Sequence, residues 1–233
     1  LKAIKQVLKF LKICLYSWLP IKQKKYYFAF IVHPRDIKDA YREFSLFKLL
    51  PQKFTEKFIN KLPPLIVSEI TGLKSIKDST EIKGCMVSIN LLPEKMLNDR
   101  QTAVKKIIKS INLAKNKGVK IVGLGGLTSS VTRGGLDLLD HIKNVHITTG
   151  HAYTAYNIVN ILLNLFKKIG VDKNKIKIAI VGAAGSIGST CAQILARENF
   201  SNFILIDLER KLQRINELLL PKLKEINQKI NFK

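Results

Sequence analysis

The chain has 233 residues, 46% hydrophobic and 24% charged, which excludes a disordered, collagen-like or low-complexity protein and fits one large or two small globular domains. Its formal net charge of +23 attracts anionic partners without specifying phosphates, anionic lipid, nucleic acid or an acidic protein. Cys14, Cys85 and Cys191 lack the paired spacing of a disulfide framework or a zinc site, so we predict no metal site and a reducing, cytoplasmic location.

Residues 1–25 are a basic extension, and residues 1–19 within it predict an amphipathic helix. Lysines recur at helical spacing on one face and apolar residues line another: Lys2, Lys5, Lys9 and Lys12 against Ile4, Leu8, Leu11 and Leu15. Four lysines exclude a membrane-spanning helix of about 20 mostly apolar residues, and no secretory cleavage site follows. The helix either lies on anionic lipid, with Trp18 at the headgroups, or packs on its own domain or on an upstream segment.

Residues 26–175 predict a first α/β domain. The apolar run 26–32 is typical of a buried strand and ends at His33-Pro34, and β-rich segments follow at 65–71 and 82–91. From residue 101 the apolar residues recur with the period of a helix, and Gly118 stands where that helix is expected to end. This alternation of strands and helices predicts layers with parallel strand pairing.

A second long helix is predicted over residues 151–169. It is apolar almost all round, which indicates burial between layers or between domains. Gly170 ends it, and the polar connector 172–175 follows. We place the domain boundary at about residue 175, because the next residues begin a new unit.

Residues 176–233 predict the first half of a Rossmann domain, a doubly wound parallel sheet that binds dinucleotides. A strand at 176–181 runs into a glycine-rich turn and then a helix to residue 197. Glycines keep such a turn tight, let the backbone approach a pyrophosphate, and let the helix pack close to the strand. The helix N-terminus then offers N–H groups to the phosphates. The cofactor-binding candidates are Gly182, Ala183, Ala184, Gly185, Ser186, Ile187 and Gly188.

Asp207 ends the next predicted strand and is the last cofactor-binding candidate. It lies 25 residues after Gly182, near where an acidic residue accepts hydrogen bonds from the adenosine ribose of NAD. Its carboxylate would repel the 2′-phosphate of NADP, yet Arg197, Arg210 and Lys211 supply compensating charge nearby. The sequence therefore predicts NAD or NADP, and a merely structural turn stays open as the alternative.

Three sequence blocks carry a family resemblance. GLGGLTSS at 123–130, TTGHAYTA at 148–155 and VGAAGSIGS at 181–189 resemble the long-chain acyl-[acyl-carrier-protein] reductases of cyanobacteria. HPRD at 33–36, ITGLKS at 70–75 and LPEKML at 92–97 extend the resemblance to bacterial amino-acid or shikimate/quinate-type dehydrogenases. Together the six blocks span residues 28–207, and residues 1–25 lie outside them.

The resemblance implies an NAD(P)-dependent reductase of fatty acyl thioesters. In that family an acyl chain passes from a carrier-protein thioester to an enzyme cysteine, and hydride from the cofactor releases a fatty aldehyde. The nucleophilic cysteine is expected beyond Lys233, so we interpret the chain as truncated at its C-terminus and inactive by itself. Its positive charge suits an acidic acyl carrier protein as partner.

The resemblance also assigns a substrate or nicotinamide side to the first domain. The candidates are Gly125, Gly126, Thr128, Thr148, Thr149, Gly150 and His151. His151 stands where the family usually has Asn, and Asp207 and Glu209 stand where the reductases carry a small or hydroxyl residue and Arg. His151 is therefore an acid/base group, a polar anchor or a helix cap, and turn geometry or strand propensity explains the glycines and threonines equally well.

Two other functions stay open at this point. One is an NAD(P)-dependent dehydrogenase of a small hydroxy- or amino-acid, which needs no long hydrophobic cavity beside helix 151–169. The other is a non-catalytic basic module that binds a membrane or nucleic acid through lysine-rich faces. No aromatic RNA-binding platform or DNA-binding motif is visible, so we predict no specific nucleic acid, and membrane association through residues 1–19 stays open.

Overall fold

The computed structural model describes residues 2–19, 25–170, 172–173 and 175–232. The helices are α1 (Lys2–Trp18), α2 (Ile37–Glu43), α3 (Gln52–Lys61), α4 (Pro93–Asn98), α5 (Arg100–Asn116), α6 (Leu127–Val131), α7 (His151–Ile169), α8 (Ser186–Arg197), α9 (Leu212–Arg214) and α10 (Leu220–Ile226). The strands are β1 (Phe28–Val32), β2 (Leu65–Lys74), β3 (Glu81–Ser88), β4 (Ile121–Leu124), β5 (His146–Thr148), β6 (Ile178–Val181), β7 (Asn202–Ile206) and β8 (Asn231–Phe232). Short 3-10 turns at Ser45–Leu49, Leu136–Leu138 and Glu209–Lys211 and a π-helical turn at Ile215–Leu219 complete the described structure.

The chain divides into two compact units, Leu1–Thr149 and Gly150–Lys233. The division falls before α7, whereas the sequence placed the boundary at about residue 175. The reason is packing: Ala155 and Val159 of α7 belong to the hydrophobic core of the second unit.

A mixed five-stranded sheet organises the first unit, in the order β2-β3-β1-β4-β5. β1 pairs in parallel with β3 and β4, and β4 pairs in parallel with β5, as the alternation of strands and helices predicted. β2 and β3 instead form an antiparallel pair. The sheet core includes Ile31, Val87 and Val122, and α5 packs its buried Ile107 and Ile111 into the same core.

Local sequence signals define both ends of helix α5. Asp99 precedes the helix, and its carboxylate accepts a hydrogen bond from the Thr102 N–H at 3.1 Å, which satisfies one N–H of the first turn. Beyond the other end Gly118 has a φ of +95°, a conformation that glycine adopts without strain. Strand β4 begins shortly after Gly118. The chain therefore runs from β3 through α4 and α5 and returns to the sheet at β4.

A small parallel sheet, β6-β7-β8, organises the second unit. Ile178 to Val181 of β6 pair with Phe203 to Ile206 of β7, and α8 connects the two strands. Phe203, Ala192 and Leu195 are buried between the sheet and the helices. The predicted sequence of strand, turn, helix and strand is thus present as one βαβ unit.

Helix α7 packs through one face only. Ala155 and Val159 are buried, whereas Ile161 is 68% exposed, and Ile158 and Leu165 are also exposed. The sequence predicted burial between layers or between domains; the packing of α7 in the second unit buries only the face of Ala155 and Val159, because an apolar sequence does not by itself supply a layer to cover each face. In the described parts of the chain no helix combines the length and apolarity needed to cross a bilayer.

Candidate functional site

The turn between β6 and α8, residues 182–188, is called the glycine turn below. Gly182 has a φ of +79°, a backbone angle that residues with a Cβ rarely adopt. A Cβ at Gly188 would lie 2.9 Å from the Gly182 carbonyl carbon and 3.1 Å from Ala183 Cα, and closer still to the Gly182 oxygen. A Cβ at Gly185 would lie 3.1 Å from that oxygen. The glycines therefore let the start of α8 lie directly against the end of β6.

Backbone hydrogen bonds fix the first half of the glycine turn. The Gly182 and Ala183 N–H groups donate to the Ile206 carbonyl at 2.8 and 3.1 Å, and the Gly185 N–H donates to the Gly182 carbonyl at 2.9 Å. These bonds close the turn and connect it to the end of β7. These backbone hydrogen bonds therefore hold the first half of the turn in one conformation.

The second half of the glycine turn opens helix α8. Gly185 is its N-cap and contributes no side-chain cap. N–H groups of a first helical turn, here at Ser186, Ile187 and Gly188, have no acceptor within their own helix. The helix dipole adds partial positive charge at the same place. An anion such as a diphosphate is the ligand that this arrangement favours.

Asp207, directly after β7, lies against the glycine turn. Its side chain is 4% exposed, and its carboxylate accepts hydrogen bonds from the Ala184 and Leu208 N–H groups, both at 2.8 Å. The hydrogen bond from the Leu208 N–H is the main cause that lowers the pKa of this carboxyl group. The Ala184 hydrogen bond and the charge of Lys211 lower it further. Asp207 therefore supports the turn as an anion and keeps lone pairs for further donors.

His151 also lies at the glycine turn. It is the first residue of α7, after Gly150, whose φ is +71°. Its Nδ1 atom lies 2.6 Å from the Ser186 hydroxyl oxygen, at the start of α8. The N-termini of α7 and α8 thus meet beside the turn, and Gly150 and His151 lie in the second unit with it; their predicted role on the substrate or nicotinamide side stays a prediction.

A second glycine-containing turn follows β4 in the first unit. Gly126 has a φ of +57° and precedes α6. The Leu127 N–H donates to His33 Nε2 at 3.2 Å, and His33 Nδ1 lies 2.8 Å from the Pro34 carbonyl oxygen. The two ring nitrogens thus hold the His33 side chain between the start of α6 and the Pro34 backbone. No role of its own was predicted for His33, and its position directly after a buried strand was the available signal in the sequence.

The predicted threonines occupy turn and strand positions. Thr128 is buried, and its hydroxyl donates to the Gly125 carbonyl at 2.8 Å, which stabilises the turn. Thr148 ends β5 beside Gly123 of β4, and Thr149 follows it. A role of these residues toward substrate stays a prediction.

His33 and the turn after β4 lie where the strand order of the first sheet reverses. β1 is central, and the chain forms β3 on one side of it before β4 on the other. His33 follows β1 and Gly125 follows β4, so both lie at the carboxyl edge of the sheet. Ligands of open α/β sheets bind in the crevice at this edge where the strand order reverses.

An apolar cavity of about 270 Å³ opens at the same edge of the first sheet. Aromatic and aliphatic side chains from α1, α2, α3 and the Ser45–Leu49 turn cover it, and polar groups of His33, Ser88 and Asn90 lie at the strand ends. Among the described residues that line it, none belongs to α7. It is therefore not the long hydrophobic cavity beside helix 151–169 whose presence would distinguish an acyl-thioester reductase from a dehydrogenase of small substrates.

The three cysteines are buried and do not have the properties of a nucleophile. Burial raises the pKa of the Cys85 thiol to about 12 and also raises the pKa of Cys14 and Cys191. Cys191 lies 3.7 Å from the Ala155 carbonyl oxygen inside the second unit. Because the thiolate is the reactive form, these side chains act as small buried apolar groups.

The fold and the glycine turn define the class: an α/β protein with a parallel strand–glycine turn–helix–strand unit. No family model matches the chain. The chain is 32% identical over 146 residues to the long-chain acyl-[acyl-carrier-protein] reductase of Synechococcus elongatus. It is 26% identical over 188 residues to the aminotransferase PigE of a Serratia species. The resemblance to the acyl-carrier-protein reductases is thereby confirmed as a distant similarity.

These similarities cover only part of the relatives. The first match includes 60% of this chain and 42% of the reductase, and the second includes 76% of this chain and 21% of the aminotransferase. The chain therefore spans less than half the length of either protein. What the whole relatives do is carried over to this chain only as a proposal.

Proposed function

We propose that this chain is part of an NAD(P)-dependent reductase of fatty acyl thioesters and that it contains the turn that binds the dinucleotide. The observation that carries the proposal is the backbone of the glycine turn: no side chain of the N-cap Gly185 caps α8, and the N–H groups of Ser186, Ile187 and Gly188 have no acceptor within the helix. The distant similarity to an acyl-carrier-protein reductase supports the choice of reaction.

Each residue at the turn has a defined part in binding. The amides of α8's first turn receive the diphosphate, and Ser186 and His151 stand beside them as further hydrogen-bonding groups. Asp207 accepts hydrogen bonds from the adenosine ribose in addition to those from the turn. When bound, the nicotinamide supplies the hydride.

The choice between NAD and NADP depends on Asp207 and its basic neighbours. The carboxylate opposes a 2′-phosphate, whereas Lys211 Nζ, 3.6 Å from Asp207 Oδ1, attracts one. Asp207→Asn removes the negative charge and keeps one oxygen acceptor. We expect it to weaken NADH binding and to improve NADPH binding relative to NADH.

The apolar cavity of the first unit suits the acyl group. Its volume of about 270 Å³ is just below the roughly 300–1,000 Å³ of small-molecule pockets, and Phe10, Phe44 and Phe47 are among its lining residues. The net charge of +23 suits an acidic carrier protein as the donor of the thioester. The polar groups of His33, Ser88 and Asn90 favour a second candidate, a small hydroxy- or amino-acid substrate of a dehydrogenase.

Calorimetric titration of the full chain tests the dinucleotide part of the proposal. NADH and NADPH are titrated into the wild type, Gly188→Ala, Asp207→Asn and the control Ser189→Ala. We expect binding in the wild type and the control and a large loss in Gly188→Ala, because its Cβ displaces the turn. Absence of binding to the folded wild type, or equal affinity in Gly188→Ala, would refute the proposal.

A separate titration tests the substrate. Ala40→Phe fills the apolar cavity from α2, so we expect it to abolish binding of a decanoyl-pantetheine thioester and to leave NADH binding unchanged. The exposed variant Lys105→Met is the control. Binding of shikimate or a small amino acid in place of the thioester would favour the dehydrogenase instead.

A further inference from the structure

Helix α1 is attached to the first unit through one face. Ser17 is buried, and its hydroxyl oxygen accepts a hydrogen bond from the Ile66 N–H of β2 at 2.9 Å. The Phe10 ring packs edge-on against Phe44, with ring centroids 5.2 Å apart, and lies 6.4 Å from the Phe47 ring. These contacts fix which side of the helix faces outward.

The outward side carries a continuous apolar stripe. Its side chains are large and each is between 42% and 63% exposed: Ile4, Val7, Leu8, Leu11, Leu15 and Trp18. At 3.6 residues per turn they fall within an arc of about 100° and extend over about 21 Å of helix. A helix that served only to cover its own domain would not place this stripe in solvent.

Exposed lysines border the stripe. Lys5 and Lys12 follow Leu8 around the helix, and Lys9 lies further round, where it pairs with Glu43 at 2.7 Å. The outward half of α1 thus consists of an apolar arc beside a basic arc. This division, with lysines on the polar side and bulky apolar residues on the other, is typical of helices that lie in a membrane interface.

We propose that the outward face of α1 docks on the surface of an anionic lipid bilayer. The apolar stripe enters the boundary between headgroups and acyl chains, Lys5 and Lys12 meet lipid phosphates, and Trp18 lies at the headgroup level. The chain's charge of +23 complements an anionic surface and opposes association with a second copy through the same face. This docking is independent of the proposed reductase chemistry.

The chain contains one tryptophan, so its fluorescence reports on α1 alone. The full chain is mixed with vesicles of phosphatidylcholine, with or without phosphatidylglycerol, and with vesicles that carry bromine on the acyl chains as quenchers. We expect a blue shift of Trp18 emission and quenching by brominated lipid on the anionic vesicles, both weakened by added salt.

Variants separate the two arcs. Leu8→Gln with Leu11→Gln should abolish the blue shift, and Lys5→Gln with Lys12→Gln should weaken binding to anionic vesicles roughly 5-fold per lysine. Ile161→Gln, at an even more exposed apolar position on α7, is the control and should bind as the wild type does. Thermal unfolding of every variant verifies that the fold is intact.

Three results would overturn the proposal. The first is unchanged Trp18 emission with anionic vesicles in the folded wild type. The second is vesicle binding that both pairs of α1 variants leave intact. The third is a blue shift that grows with protein concentration in the absence of vesicles, which would assign the stripe to contact between copies of the chain.

Discussion

At Gly188 the close approach of helix and strand depends on a single missing Cβ. Gly188→Ala places a methyl group against the Gly182 carbonyl and the Ala183 backbone, so we expect the free energy of unfolding to fall by about 1–3 kcal/mol. Ser189→Ala, in the same helical turn, removes only a long hydrogen bond of 3.4 Å and should cost less than about 0.5 kcal/mol. Urea denaturation of both variants measures the difference, and equal stabilities would show that the turn has room for a side chain.

Lys106 joins three backbone segments of the first unit. Its Nζ donates to the carbonyl oxygens of Asn60, Leu62 and Asn90 at 2.7, 2.8 and 3.0 Å, and burial lowers its pKa to about 8. Lys106→Met leaves these carbonyls without the donor and should cost about 1–3 kcal/mol of unfolding free energy. Lys105→Met, at the exposed neighbouring position, is the control in the same denaturation experiment, and equal unfolding midpoints of the two variants would contradict this role.

At the scale of elements, the start of α2 predicts a pH dependence of stability. Asp36 caps the helix by accepting from the Asp39 N–H, and Asp39 pairs with Arg35 and Arg42, each at 2.9 Å. The Arg35 hydrogen bond first, together with the charges of both arginines, lowers the pKa of Asp39 from 3.8 to about 2. A lowered carboxyl pKa stabilises the folded state above the unfolded pKa, and this stability is lost as pH falls through the folded pKa.

The expected loss is small because both arginines are exposed. Between about pH 4 and 2 the wild type should lose no more than about 1 kcal/mol through this group. Asp39→Asn has no carboxylate to protonate, so its stability should fall less steeply over that range. Thermal unfolding at several pH values compares the two slopes, and parallel slopes would contradict the assignment.

The sequence predicted those elements whose signals are local. The strand, glycine turn and helix around residues 176–197 were predictable because each glycine has a nearby backbone requirement, and Asp207 because it ends the adjacent strand. The contact between His33 and Leu127 joins residues 94 positions apart, which no local pattern encodes. The exposure of α7 likewise depends on which layers are available for packing, and periodicity does not specify those layers.

At the scale of the whole molecule, the charge of +23 predicts salt-dependent association with an acidic partner. Raising the ionic strength from 0.1 to 1 M shortens the screening length from about 10 to 3 Å. Association with an acyl carrier protein that bears a decanoyl group should therefore weaken steeply with salt. Decanoyl-pantetheine, which has no carrier-protein surface, is the control. The affinity of each ligand for the surface-immobilised chain is measured at each salt concentration. Equal salt dependence of the two ligands would contradict electrostatic recognition of the carrier.

The central claim is that the backbone amides at the start of α8 bind a diphosphate. Two-dimensional amide spectra of the isotope-labelled full chain, recorded while ADP is added, test it residue by residue. The account predicts saturable shifts that are largest for Ser186, Ile187 and Gly188. Shifts confined to surface lysines elsewhere, or unchanged spectra of the folded chain at saturating ADP, would contradict it.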